Sequence, residues 1–492
     1  MGTRSFSIHA MATRPQGSIE WLGVMAARLL VPFVSFVVTI LVARFWGKSA
    51  LAQYAIIWSW LAISQYFSLF GLPDYLAKEA GRNPQDAARY LKHGLLLVLA
   101  SGCSAMLFLA SWAVCSGYSP ELKLCLLIAA LSLPASGCTA MCQAICTALR
   151  KINLIIISLL AESLLFVAGA VTVFLAGGGL AWLIAVVVAA RSLTALWYSL
   201  AIRSGALARL PAFDWACGRG ILRGAATFGL TSVAGLVFLR IDIVVLSFLC
   251  SMAVIGPYSA AARLIEICLV FPLTFYFVNL APAARFFQIS PGTPPRTLEQ
   301  GASQLFYIVL AVAAGGILFA ETVLSFLYGP AYASAGWALR LLLVAFLIMS
   351  PEALLSMSCQ AAGLHRTAMW IAVGRLCAGL ICQWLFVRQW GVAGAPYGTI
   401  AALVLSFAAT YAVVEKRITH YDWVLILRKP LLVCLLAIGA VLLVPPDSHV
   451  AVRIGVFLVS YLLGTGLMEG WWRLLLRREM PATGSALHGH HS

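Results

Sequence analysis

Residues 132–148 read SLPASGCTAMCQAICTA, and residues 350–363 read SPEALLSMSCQAAG. In the first stretch Pro134 precedes Gln143, inside Cys142-Gln143-Ala144, by nine residues; in the second Pro351 precedes Gln360, inside Cys359-Gln360-Ala361, by the same nine. Sliding the chain against itself by roughly 210 residues brings further matches into register, which is the mark of an internal repeat. Gly177-Gly178-Gly179 meets Gly391 and Gly394, and Tyr54 meets Tyr258.

Both stretches are apolar, and so is nearly everything around them. Hydrophobic residues make up 62% of the 492 positions and charged residues 10%, against about 25% charge in an average soluble domain. Allowing about twenty residues per crossing of a hydrocarbon core about 30 Å thick, the pattern predicts helices near 21–46, 52–73, 93–115, 122–148, 153–176, 180–202, 222–249, 254–283, 302–327, 333–361, 367–387, 392–414, 430–445 and 451–475. The expected fold is an all-α polytopic membrane protein of about 14 transmembrane helices. Six spans fall in each repeat copy, so the two copies start on the same side and are related by a pseudo-twofold axis along the membrane normal. This divides the chain into an N-terminal tail (1–20), a six-helix bundle (21–203), a linker (204–221), a second six-helix bundle (222–415), an appended helix pair (430–475) and a C-terminal tail (476–492).

Lysine and arginine are retained on the cytoplasmic side of a membrane while acids contribute little. Alternate loops and tails hold twenty-two basic residues on one side, among them Arg4, Lys78, Arg150, Arg209, Arg285, Arg366, Arg417 and Arg477. The other side holds five: Arg44, Lys48, Lys123, Arg388 and Arg453. Both termini are therefore expected in the cytoplasm, in a bacterial inner membrane. The net charge of +16 is spread in short clusters between apolar spans, not along one basic face, so nucleic acid is not an expected partner. The region up to Ile19 lacks the apolar core and small-residue cleavage site of a signal peptide, and the first span is expected to stay in the mature protein.

Thirteen cysteines, an odd number, lie mostly inside spans and read as small buried hydrophobes rather than a disulfide framework. Cys138, Cys142 and Cys146 share one helical face, but no histidine or acid accompanies them, so helix packing is expected there and no metal. Gly47-Lys48-Ser49 imitates the end of a phosphate-binding loop, yet Val42 stands where its first glycine belongs. The His488, His490 and His491 tail is read as a disordered end.

The seventh and eighth spans carry Arg240-Ile-Asp242-Ile-Val-Val-Leu246 and Ile255-Gly256-Pro-Tyr258-Ser-Ala-Ala-Ala-Arg263-Leu264. In these segments, and in Leu327-Tyr328-Gly329-Pro330-Ala331-Tyr332, Gly391-Val-Ala-Gly394-Ala395 and Gly71-Leu72 with Glu79, the chain resembles the polysaccharide and O-antigen flippase family. That family belongs to the multidrug, oligosaccharidyl-lipid and polysaccharide (MOP) exporter superfamily, and the resemblance covers roughly residues 20 to 415. It implies two MATE-like six-helix bundles that alternate between inward-open and outward-open forms. It also implies a substrate, undecaprenyl-diphosphate-linked sugar repeat units moved to the periplasmic leaflet, and partners in glycosyltransferases, a polysaccharide polymerase and a chain-length regulator.

An ionisable group inside a bilayer costs about 2.5–3.5 kcal/mol on insertion scales, so such groups face bundle interiors or wet cavities. The spans hold Arg28, Glu162, Arg191, Arg240, Asp242, Arg263, Glu266, Glu321, Arg340, Glu352 and Arg375. A diphosphate head group needs a cationic chamber, and guanidinium supplies a permanent charge with a planar fork of donors. Arg28, Arg240 and Arg375 are the candidates for that role; the other reading open for each is an interior charge paired with an acid. Arg240 and Asp242, two apart, diverge on their helix and each needs a partner elsewhere, whereas Arg263 and Glu266 can pair locally at i, i+3. Asp242, Glu266 and Glu352 are candidates to carry a coupling proton or sodium ion, with static interhelical bridges as the alternative. Pro134, Pro272 and Pro351 are candidate hinges, since proline frees a carbonyl in the preceding turn. No catalytic residue and no cofactor is expected.

Other functions remain to be weighed. A drug/cation antiporter of the same superfamily would line its cavity with acids, against which six arginines to five acids within the spans lean. A peptidoglycan-precursor flippase would share the cationic chamber. A membrane glycan polymerase or ligase would need a long periplasmic loop bearing catalytic groups, and no such loop is visible.

Overall fold

The computed structural model describes residues 15–203, 214–289, 294–445 and 448–469, with side chains placed from Leu30 to Ala201 in the first of these. Among them there is no extended strand. The first half holds α1 (Pro15–Leu69), α2 (Leu72–Arg82), α3 (Ala87–Cys115), α4 (Pro120–Ala130), α5 (Ser132–Ala148), α6 (Ile152–Leu175) and α7 (Leu180–Arg203). The second half holds α8 (Trp215–Leu249), α9 (Met252–Cys268), α10 (Val270–Ile289), α11 (Arg296–Leu318), α12 (Ala320–Tyr328), α13 (Gly336–Ala361), α14 (His365–Trp390) and α15 (Gly394–Arg417). A last pair, α16 (Trp423–Leu442) and α17 (Val450–Glu469), follows.

Twelve helical stretches among the described residues are long and apolar enough to cross a membrane. Two of them, Leu30–Arg82 and His365–Arg417, are 53 residues long, more than twice what one crossing takes at about 20 residues. Each holds two spans, and twelve plus two makes fourteen. The first is divided at Gly47, where φ is 78° and ψ is −170°; the second at the turn of Gly391–Ala393. The chain is a multi-pass membrane protein.

The repeat seen in the sequence has structural counterparts. Tyr54 and Tyr258 are both buried, and Gly177 and Gly391 both take positive φ. The appended pair lies outside this symmetry and packs on α11, burying Tyr307 and Ala314 against Val433, Ala437 and Phe457. Tyr461 Oη donates to the Tyr307 carbonyl at 2.6 Å. The helix that opens the second half begins at Trp215, where the Asp214 side chain accepts from Ala216 N at 2.9 Å. Residues 1–14 of the expected N-terminal tail, 204–213 of the expected linker, and the C-terminal tail with its histidine cluster lie outside the described residues; helix already begins at Pro15, shortening the first tail, and at Trp215, shortening the linker at its 221 end.

The candidate hinges divide in two ways. α4 and α5 are interrupted at Leu131, and α9 and α10 at Leu269. Pro134 and Pro272 each stand third in the new helix, where a missing N–H is harmless because first-turn donors have no partner within the helix. Pro351 stands inside α13, which runs unbroken through it; the carbonyl it leaves without a helical N–H partner is that of Leu347, and the Ser350 hydroxyl donates to the preceding carbonyl, that of Phe346, at 2.9 Å.

The halves meet at both ends of the spans. On the side holding few basic residues, Arg44 Nε donates to the Leu327 carbonyl at 2.8 Å, and Arg44 also reaches the Phe326 carbonyl. Tyr332 Oη donates to the Ala43 carbonyl at 3.3 Å, and Tyr118 Oη and Ser247 Oγ are 2.6 Å apart. Gly256 is pressed on the Lys48 carbonyl so closely that a Cβ there would lie 2.1 Å from the oxygen. On the other side Gly71 packs on Gly229, and a Cβ at Gly71 would lie 2.4 Å from Gly229 N. Gly71 also takes φ 69°, the left-handed region that costs an L-residue about 1–2 kcal/mol.

Gly71→Ala is therefore expected to lower the thermal unfolding midpoint of the purified protein more than Gly177→Ala. Gly177 has a similar φ of 68° with nothing within 4 Å of its would-be Cβ, so it isolates the backbone cost. Equal drops would refute a close approach at Gly71.

Candidate functional site

The interior charges sit on helices whose all-round apolar surface leaves them few places to go. Five helical segments from both halves (α1, α6, α7, α8 and α9) bring together a chamber of about 450 Å³. Its charged lining is Glu162, Arg191, Arg240, Arg263 and Glu266, and Trp58, Gln65, Tyr66 and Ser35 complete its polar and aromatic wall. Three guanidinium groups face two carboxylates, leaving one net positive charge.

Glu266 is the centre of the cluster. Arg240 donates to both of its oxygens, one bond being Nη2 to Oε2 at 2.9 Å. Arg263 donates to the same carboxylate from one turn away on α9 and reaches Ser35 Oγ on α1 in the other half. The three side chains keep 18–20% of their surface exposed. Arg263 Nε is buried without a hydrogen-bond partner among the described residues.

Arg191 is held more loosely. Its Nε lies 4.0 Å from Glu162 Oε1. Its Nη1 is 3.4 Å from both Gln65 Oε1 and Ser132 Oγ, and the guanidinium lies 5.3 Å from the Trp58 ring centroid. A cation over an indole face is attracted by the ring quadrupole. Arg191 and Glu162 are chamber residues that the sequence reading counted among interior charges without assigning a binding role. The available signal was an acid and an arginine deep in consecutive spans, with Gln65 in an apolar run.

One candidate is placed elsewhere. Arg375 does not line this chamber. Its Nη1 bonds both oxygens of Glu352 at 2.8 Å, Ser406 Oγ donates to Glu352 Oε1 at 2.7 Å, and the guanidinium lies 5.0 Å from the Phe238 ring centroid. For this pair the alternative reading, an interior ion pair between α13 and α14, describes the geometry. The Arg28 side chain lies outside the described residues, although its backbone is in α1.

Asp242 points away from Arg240, as the two-residue spacing requires. Its Oδ2 accepts from Tyr258 Oη at 2.7 Å and its Oδ1 from Ile243 N at 2.7 Å. It is buried and is in no ion pair among the described residues. With Glu266 and Thr399 it lines a small cavity of about 50 Å³ beside the chamber. The three carboxylates considered for ion coupling thus differ: Glu266 and Glu352 are committed to arginines, and Asp242 is held only by neutral donors. Among the described residues no group of three or more His, Cys, Asp or Glu side chains is arranged to hold a metal.

With this geometry in view, comparison with known proteins is informative. A family model described as polysaccharide biosynthesis protein matches residues 20–282. Among solved structures, the lipid II flippase MurJ in an inward closed conformation aligns with a TM-score of 0.68 at 14% identity, covering 93% of this chain and all 100% of that one. A MOP superfamily transporter from Pyrococcus furiosus gives 0.58 at 16% identity, covering 80% of this chain and 94% of its own. An outward-facing multidrug resistance MATE family transporter gives 0.60 at 16%, with the same coverages. At these identities the likeness concerns the fold. No curated protein matches the sequence.

The two kinds of interior pair predict different costs. Glu352→Ala leaves a guanidinium uncompensated in a buried site and is expected to destabilise by about 3–5 kcal/mol. Glu162→Ala removes only a 4.0 Å contact from an arginine that keeps Gln65, Ser132 and Trp58 as neighbours, and should cost less. Unfolding midpoints in one detergent check the ranking, and equal midpoints would contradict it.

Proposed function

Since this chain belongs to the polysaccharide biosynthesis protein family, we propose that it is a secondary-active flippase for undecaprenyl-diphosphate-linked oligosaccharide repeat units. The observation that supports this most is the chamber shared by both halves, with its surplus guanidinium charge. A diphosphate is doubly anionic and planar-fork donors suit its oxygens. Arg191, whose partners all lie at 3.4 Å or more, is the group freest to turn to it. Arg240 and Arg263 hold the positive field in place through Glu266. Trp58 and Tyr66 offer flat apolar faces with polar tips against which the first sugars pack, while the polyprenyl chain stays in lipid. In this reading the face with twenty-two basic residues is cytoplasmic, the protein sits in a bacterial inner membrane, and the unit moves from the cytoplasmic to the periplasmic leaflet.

Asp242 is the carboxylate proposed to take the coupling proton or sodium ion. It gains a cation without giving up an ion pair, which Glu266 and Glu352 cannot do.

A second reading draws on one observation. The lipid II flippase covers 93% of this chain, whereas the MATE transporters cover about 80%, so the former accounts for more of the chain's length. A lipid-linked peptidoglycan precursor carries the same diphosphate.

Deleting the gene separates the readings. The polysaccharide flippase predicts loss of surface polysaccharide with lipid-linked units trapped on the inner leaflet and growth preserved. Lysis with trapped peptidoglycan precursors would support the second reading, and altered drug sensitivity with polysaccharide intact would support an antiporter. In the deletion strain, Arg191→Ala is expected to restore about one tenth of wild-type export or less, the loss of roughly one charge-assisted contact, at normal membrane level. Full export by this variant would remove Arg191 from the binding role.

A further inference from the structure

A second basic cavity lies apart from the chamber and shares no lining residue with it. It has a volume of about 620 Å³ and is lined by Lys78 of α2, Phe228 of α8, Gln288 of α10, Gln360 of α13, His365 of α14 and Arg417 of α15, with apolar side chains of α10 along one wall. Lys78 belongs to the first half and the other five to the second. Arg417 is the last residue of its helix and His365 the first of its own, which places the cavity at the end of the spans where the sequence gathers most of its basic residues.

The charges here are uncommitted. Neither Lys78 nor Arg417 is in an ion pair among the described residues, and no carboxylate lines the cavity. The two nearest acids in sequence are engaged elsewhere: Glu79 with Arg82 at 3.2 Å, and Glu415 with His420. Phe228 joins the two halves of the site, with Lys78 Nζ 5.5 Å from its ring centroid and the His365 ring 6.3 Å away on centroids. An ammonium and a guanidinium beside two amide side chains, with no acid to balance them, form a receptor for a compact anion with several acceptor oxygens. The α10 wall adds what a free ion does not need. Phe277, which lines the cavity, and Ile289 further along that helix are 64% and 80% exposed, an apolar surface of the kind that an acyl chain covers.

We propose that this cavity is a binding site for a phosphate-bearing group, taken from the adjacent leaflet as a lipid head group. It is separate from the transport chamber and independent of what the chamber carries. Because its cations come from both halves, a bound phosphate bridges them and stabilises the arrangement in which Lys78 faces Arg417.

Lys78 itself reports occupancy. The full-length protein in phosphatidylcholine nanodiscs is treated with an amine-reactive label, and modification of Lys78 is followed by peptide mass spectrometry against Lys151, an exposed lysine near the same end. One arm adds phosphatidic acid to the disc, the other inorganic pyrophosphate to the buffer. Lys78 is expected to label about tenfold more slowly with phosphatidic acid, relative to Lys151, corresponding to about 1.4 kcal/mol of protection. That protection should vanish in Arg417→Gln and persist in Arg417→Lys. Protection by pyrophosphate alone would keep the site and assign it to soluble phosphate compounds. Absence of protection in both arms, or protection undiminished in Arg417→Gln, would overturn the proposal.

Discussion

Glu266 holds two guanidinium groups at once, and the chamber is built outward from that contact. An arginine placed alone in the span interior costs about 2.5–3.5 kcal/mol or more on insertion scales, and two adjacent ones repel each other besides. One carboxylate between Arg240 and Arg263 removes most of that cost while leaving the trio with a net charge of +1. A second acid would neutralise the site; none would strand both cations. The partial exposure of the three groups fits a site that stays wet, since a dry ionic triad gains less than its desolvation costs. Through the Arg263 bond to Ser35 the trio also touches the opposite half, so the charge centre lies at the seam between the halves.

The seam is closed by contacts of a kind that can be undone. On the side holding few basic residues they are hydrogen bonds from Arg44 and Tyr332 to main-chain carbonyls, and Gly256 laid on the Lys48 carbonyl. Each such bond contributes about 0.5–1.5 kcal/mol net, more where the donor is charged. A few of them together fall in the range that a ligand's differential affinity for two states supplies, about 5.5 kcal/mol for a near-complete population shift. An apolar core that holds Val42, Tyr54 and Ile57 of the first half with Val245, Tyr258 and Leu324 of the second surrounds these bonds, and the appended pair adds its own core against α11.

The fold was legible because its signals are local or additive. Span length, the asymmetry of lysine and arginine, and the proline-to-glutamine step repeated at Pro134 and Pro351 need no knowledge of neighbours. Parts of the site were legible for the same reason: the divergence of Arg240 from Asp242 and the pairing of Arg263 with Glu266 follow from helical geometry. The partner of Arg375 was not, since Glu352 stands on the preceding helix and the encounter depends on how α13 and α14 are rotated. Arg191 was missed as a binding candidate for a related reason, because its value comes from what surrounds it, Gln65, Ser132 and Trp58 on other segments. The prolines mark a different boundary. Pro134 and Pro272 follow the breaks at Leu131 and Leu269 because a new helix tolerates proline in its first turn, while the same residue at 351 sits inside an unbroken helix.

The charge balance of the interior bears on the coupling proposed for Asp242. Among the described side chains, Arg191, Arg240, Arg263 and Arg375 are set against Glu162, Glu266, Glu352 and Asp242, four against four when Asp242 is ionised. Asp242 is the one member of this set without an opposite charge as partner. In the proposed cycle a proton or sodium ion arriving there cancels its charge, and the interior is left at +1 with the guanidinium pairs intact. An anionic head group in the chamber then meets a field that no nearby carboxylate offsets. Such linkage is reciprocal: the ion raises affinity for the head group, and the head group raises affinity for the ion by the same factor. An ion placed on Glu266 would act differently, because it would release Arg240 and Arg263 to repel each other.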